Sequence, residues 1–362
     1  MRPLVGYEWS AGRCKQVAFV GRDGHVHEFH VGIGGRWQHT DLTTIADAPL
    51  AQSRFIVGYD WPEVGLKQIA YLGWDSHVHE LWLRPGAEWH HADLTTRAGA
   101  PPARIVTAGY SWAPGHSKQV VFVGDDDHIH ELSVDAGGHW QHVDLTAITA
   151  APLCGSNFMV GFGWSEGNCK QVAYVGKDSH VHELVMEIGK SWVHTDLTSI
   201  TNAPHAVDLT VGFEWKEGHC KELAFVGEDR HVHELYLPVG EQWVHVDLTS
   251  ITHAPDAMNI VTGYAWPEGH SKQIAFLGLD RHIHELYVQV GDTWKHADLT
   301  NLSHAPVTSV LTLDGYGWSA GNTKQLVYMG EDRQVRELWM SPTTDWMYTD
   351  LSREVIILPV GV

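Results

Sequence analysis

The chain of 362 residues carries 24 Lys and Arg against 44 Asp and Glu, a formal net charge of −20, which excludes the clustered positive surface that nucleic acid or an anionic membrane needs. A hydrophobic share of 43% with 17 Trp excludes a disordered chain. No apolar run of about 18 residues offers a membrane span, and four Cys are too few for a disulfide scaffold.

The elements repeat from the start of the chain. A first short apolar run ends at Trp9, and its copies end at Trp61, Trp112, Trp164, Trp215, Trp266 and Trp318, in steps of 51 or 52 residues. The second copy shows the inner pattern. Phe55 to Trp61 is apolar, Lys67 to Gly73 is a second apolar run, His77 to Leu83 alternates, and Trp89 to Thr95 is a fourth segment. Gly, Pro and Asp separate these runs, and β-branched and aromatic runs between turn residues are strands. Length alone suggests two or three domains, but the period overrides it. The expectation is one all-β domain over 1–362, a seven-bladed β-propeller with four antiparallel strands per blade. The repeats begin near 5, 57, 108, 160, 211, 262 and 314. A solenoid, the other repeat architecture, would need atypical capping repeats. The apolar tail Val355-Ile356-Ile357-Leu358 could supply a closing strand.

Each repeat carries the same polar residues. Strand three reads His-Val/Ile-His-Glu, giving His27/Glu28, His79/Glu80, His130/Glu131, His182/Glu183, His233/Glu234 and His284/Glu285, with Arg336/Glu337 in the seventh copy. Another His precedes most Asp-Leu-Thr triplets, as His39 precedes Asp41. His25, His27 and His39 could chelate a metal if the register allowed. Six near-identical copies favour His that stacks on Trp, bonds backbone or touches ligand, so neither a metal nor a cofactor is expected. Strand two carries Lys-Gln: Lys15-Gln16, Lys67-Gln68, Lys118-Gln119, Lys170-Gln171, Lys272-Gln273 and Lys324-Gln325, with Lys221-Glu222 in the fifth copy. A second Trp series follows strand three at Trp37, Trp89, Trp140, Trp192, Trp243, Trp294 and Trp346. A carboxylate, an amide and an indole per blade suit a sugar, whose hydroxyls need paired donors and acceptors and whose C–H face packs on indole. The same Glu and Gln could equally form a buried ladder that satisfies the strands.

These motifs resemble the repeats of fungal fucose-specific lectins and of related seven-bladed bacterial lectins. The resemblance implies pockets between adjacent blades, with Glu28 and its equivalents and the Trp37 series as contacts. The family's strand-two Arg falls here on Gln16 and its equivalents, and His27 and its equivalents stand where the family often has Arg. The implied ligands are glycans, fucose or a related sugar, held at many weak sites. An enzyme of the same fold, metal-dependent or a cyclase, and a protein-interaction scaffold are the alternatives. An enzyme should break the seven-fold symmetry, and Glu8, Asp60 and Glu214 on strand one do so, with the central channel as their expected location. Cys14, Cys169 and Cys220 occupy one repeat position, too far apart for disulfides. Free thiols and a start, Met1 to Gly6, without an apolar signal stretch point to the cytoplasm, or to secretion without a conventional signal peptide.

Overall fold

The apolar runs form strands and the turn residues between them form hairpins. In the computed structural model, which describes residues 4–310 and 312–355, blade one comprises β1 (Leu4–Trp9), β2 (Cys14–Val20), β3 (Val26–Gly32) and β4 (Gln38–Asp41), followed by a one-turn helix α1 (Leu42–Ile45). Blade two repeats this with β5 (Ala51–Trp61), β6 (Leu66–Gly73), β7 (Val78–Leu83), β8 (His90–Asp93) and α2 (Leu94–Ala98). Five more blades follow, and all seven sheets are four-stranded and antiparallel in sequence order. Inner strands abut round a circle, β1 against β5 and onward, until the seventh inner strand (Leu313–Trp318) meets β1. The inner strands of blades two to six start at Ala51, Ala103, Cys154, Ala206 and Ala257, ahead of the apolar runs that mark the repeats. Irregular pairing lets them do so, as between Ala51↔Gly73 and Ile56↔Tyr71.

The core lies between blades. Val5, Tyr7 and Ala18 of blade one pack with Ile69, Tyr71 and Leu81 of blade two. Leu4, Val17 and Phe29 pack with Tyr316, Val327 and Val335 of blade seven, closing the ring. Close approach of adjacent blades requires glycine on the inner strand: a Cβ at Gly58 would lie 2.6 Å from the Tyr7 ring. Among the described residues every sheet is built from one contiguous stretch of chain. The closing strand expected at Ile356 to Leu358 lies outside the described residues, and Val355 is buried in the cluster between blades seven and one.

The Asp-Leu-Thr triplet is a capping device. Asp93 N-caps α2 by accepting from the Thr96 backbone N–H (2.9 Å), Leu94 is fully buried, and Thr95 Oγ1 accepts from the Val78 N–H (2.8 Å). The triplet thus ties each helix to the start of strand three.

Candidate functional site

Successive residues of a strand point to opposite faces, so Lys67 and Gln68 look toward different neighbours. Gln68 pairs with Tyr59, and Glu80 lies across from Ala70, so these side chains share the face that meets blade three. Lys67 faces blade one, where its Nζ donates to Glu28 Oε2 at 2.6 Å. The pattern closes on itself. Lys118–Glu80, Lys170–Glu131, Lys221–Glu183, Lys272–Glu234, Lys324–Glu285 and Lys15–Glu337 pair across the other six interfaces at 2.5–2.8 Å. Each ammonium sits between two indoles. Lys67 Nζ is 5.1 Å from the Trp9 ring centroid and 4.7 Å from that of Trp89, and Lys118 Nζ is 5.7 Å from Trp61 and 5.1 Å from Trp140. In blades one to three a tyrosine hydroxyl completes the carboxylate shell, as Tyr59 donates to Glu80 Oε1 at 2.5 Å. Burial pulls the Lys118 ammonium below its usual range against the raising effect of Glu80. Burial likewise raises Glu131, Glu285 and Glu337, opposed by their lysines.

The predicted site residues of one repeat are therefore divided between two interfaces. Glu28 shares its pocket with Trp89, Glu80 with Trp140, Glu131 with Trp192, Glu183 with Trp243 and Glu234 with Trp294, whereas Trp37 stands beside Lys15 and hence Glu337. Gln16, Gln68, Gln119, Gln171 and Gln273 lie on the same face as their own Glu but fully buried. Gln119 and Gln273 donate to Ser117 and Ser271, and Gln171 accepts from Lys221 at 3.3 Å. Where the resemblance aligns an Arg with Gln, the cation that meets the carboxylate is Lys, one residue earlier, because only that parity faces the preceding blade. The sequence shows Lys in all seven copies, which was the available signal.

The structure does not bring His27, His79, His130, His182, His233 or His284 to their neighbouring Glu. His79 shares the Lys67 face but lies opposite Tyr71, four residues or ~13 Å along β6. Its Nε2 contacts Asp75 Oδ1 at 3.0 Å, its Nδ1 contacts His91 Nε2 at 2.9 Å, and His77 Nδ1 contacts Asp93 Oδ2 at 2.8 Å. His79 and its equivalents lie against Tyr71, Phe19, Phe122, Tyr174, Phe225 and Phe276, with ring centroids 4.9–5.5 Å apart, and not against Trp among the described residues. In blade seven, Arg336 donates to Asp332 and to Tyr348 in the same positions.

Among the described residues, cavities surround the Lys–Glu pair at the following two interfaces. One, between blades two and three, has a volume of about 230 Å³ and is walled by Trp61, Trp82 and Trp140 around Glu80 and Lys118. The other, between blades seven and one, has a volume of about 580 Å³ and is walled by Trp318, Trp339 and Trp37 around Glu337 and Lys15. Trp82 and Trp339 are a third indole, two residues after Glu, where other blades carry His30, Ser133, Val185, Tyr236 and Tyr287.

The strand-one carboxylates expected in the channel clamp neighbouring turns instead. Asp60 accepts from the Ser10 N–H and hydroxyl (3.0 and 2.6 Å), Glu214 from those of Ser165 (3.0 and 2.9 Å), and Glu8 from the Ser319 and Ala320 N–H groups. The acid that lines the channel is Asp314, which accepts from the Gly6 N–H at 2.9 Å and from Thr262 Oγ1 at 3.2 Å. All four Cys are free thiols, and among the described residues no helix is long and apolar enough to cross a membrane.

The geometry defines a seven-bladed propeller with a Lys–Glu pair between indoles at each blade interface. Among solved structures the chain is similar to a lectin from Burkholderia pseudomallei, with a TM-score of 0.73 at 13% identity over 96% of this chain and 97% of that one. It is also similar to AofleA from Arthrobotrys oligospora (TM-score 0.55, 12% identity, 82% and 86% covered). A third likeness is the six-bladed fungal lectin of Aleuria aurantia, described by its fucose recognition (TM-score 0.53, 13% identity, 81% and 93% covered). No family model and no curated protein matches the chain. At these identities the likeness establishes the fold.

Proposed function

We propose that the protein binds glycans without transforming them, in the pockets between blades, with fucosylated or related sugars as ligands. The observation that carries this reading is the seven-fold repetition of a buried Glu–Lys pair beside facing indoles. An indole face packs on the C–H surface of a pyranose. The carboxylate accepts from sugar hydroxyls, and an ammonium has three N–H groups, of which Lys118 directs two contacts to Glu80. The fold likeness to lectins, one of them described by its fucose recognition, supports the same reading. Repeated weak sites suit clustered glycans, where linkage raises apparent affinity by roughly 10²–10⁴. A glycan array probed with untagged protein at neutral pH tests it. Hits on clustered fucosylated or related glycans, competed by millimolar free sugar, are expected. A blank array overturns the reading.

A further inference from the structure

The cavity between blades two and three carries an excess of positive charge. It is lined by Arg84 and Arg97 in addition to Lys118, against Glu80 and Asp135, so three cations face two anions in a chain of net charge −20. Both arginines are unique to their repeat position. Arg84 lies four residues after Glu80, where the other copies have Gly32, Asp135, Glu187, Pro238, Gln289 and Ser341. Arg97 is the fourth residue of α2, where five other helices carry Ile45, Ile148, Ile200, Ile251 and Leu302 and the last carries Glu354. The cavity between blades seven and one, by contrast, balances Lys15 and Arg36 against Glu337 and Glu354.

The two guanidinium groups are exposed, and among the described residues neither forms an ion pair. Arg84 lies 5.9 Å from the Trp82 ring centroid. Arg104, Arg281, Arg336 and Arg353 each pair with a carboxylate. Lys118 already shares Glu80, and Arg97 lies close enough to lower its ammonium further. Two guanidinium forks that form no ion pair, beside an indole-walled cavity with one positive charge in excess, are the arrangement that takes a planar carboxylate or a sulfate bidentately.

From this we propose that the blade two–three pocket selects an acidic sugar, a uronic acid or a sulfated saccharide, with Trp61 and Trp140 on the ring and Arg84 and Arg97 on the anion. The inference rests on the glycan-binding reading and adds a ligand class for one of its sites.

The experiment compares the whole protein's affinity for methyl β-D-glucuronide, for methyl β-D-glucoside and for a sulfated disaccharide by calorimetry, beside the neutral glycan array. The wild type should bind the glucuronide or the sulfated probe at least about tenfold tighter than the glucoside, with a preference that shrinks as salt rises. R84Q combined with R97I, which installs residues other blades carry, should lose that preference, with thermal unfolding as the folding control. Equal binding of acidic and neutral probes by the wild type, alongside array hits for neutral glycans, overturns this inference and leaves the glycan-binding reading standing. An acidic preference that survives in the double variant overturns the location. No binding of any sugar in either format overturns both.

Discussion

Lys118 and Glu80 show what a single residue carries here. Both are nearly fully buried, and each is satisfied mainly by the other. Removing one partner leaves an uncompensated charge, so Lys118→Met should cost about 3–5 kcal/mol in denaturant unfolding. The double change K118M with Glu80→Gln should recover most of that, and an equal loss in both proteins would contradict the pairing. Blade five offers the converse case. Glu222 replaces the usual Gln, and Lys272 donates to both Glu222 (2.8 Å) and Glu234 (2.7 Å). Burial first, then the Glu234 charge, pushes the Glu222 carboxyl well above its ordinary value near 4.5. A raised acid favours the folded state less as pH climbs past its unfolded value, so this residue costs stability from about pH 4.5 upward. Glu222→Gln should therefore stabilise the protein by about 1 kcal/mol at pH 8 and by less at pH 4.5. A loss of stability at pH 8 would refute the argument.

Among the elements, the edge formed by strand three, strand four and the one-turn helix holds the histidines. Burial, then the facing His79, lowers His91 below its ordinary 6.5, and the same holds for His142 beside His130 and for His245 beside His233. For a base with a depressed folded value, stability is present above the unfolded value and is lost as pH falls through the folded one. The melting temperature should drop as pH goes from 6.5 toward 5, and a flat calorimetric profile would refute this. H79R with H91Y copies the Arg336–Tyr348 pair of blade seven and should soften the drop.

The blades were legible in the sequence because strand period, turn residues and Trp spacing all repeat. The helix was not, because Leu-Thr-Thr-Arg makes a single turn, too short for a 3.6-residue period, and its Asp cap reads equally as a turn. The Glu and Trp of the pocket were legible as residue types. Their partners were not, since Glu28 meets Lys67 and Trp89 of the next repeat, and only sheet parity reveals that Lys rather than Gln crosses the interface.

For the whole molecule, the interface between blades seven and one is the one that lacks a short chain link. It has its own ion pair, Lys15–Glu337, and its own apolar cluster. Glu337→Gln should therefore admit protease at this interface sooner than Glu131→Gln does between blades three and four, where the polypeptide itself holds the blades together. Identical cleavage kinetics for the two variants would show that the short link contributes nothing.

The uniform Lys–Glu contact has one more consequence. Because every outgoing face presents a Glu and every incoming face a Lys, any blade could follow any other, and the chemistry of the contact does not encode a position in the series. The number seven is set by the wedge angle between neighbours, as arch stones of one cut decide the span of the arch. A repeat packed slightly more steeply would close a smaller circle with the same handshake.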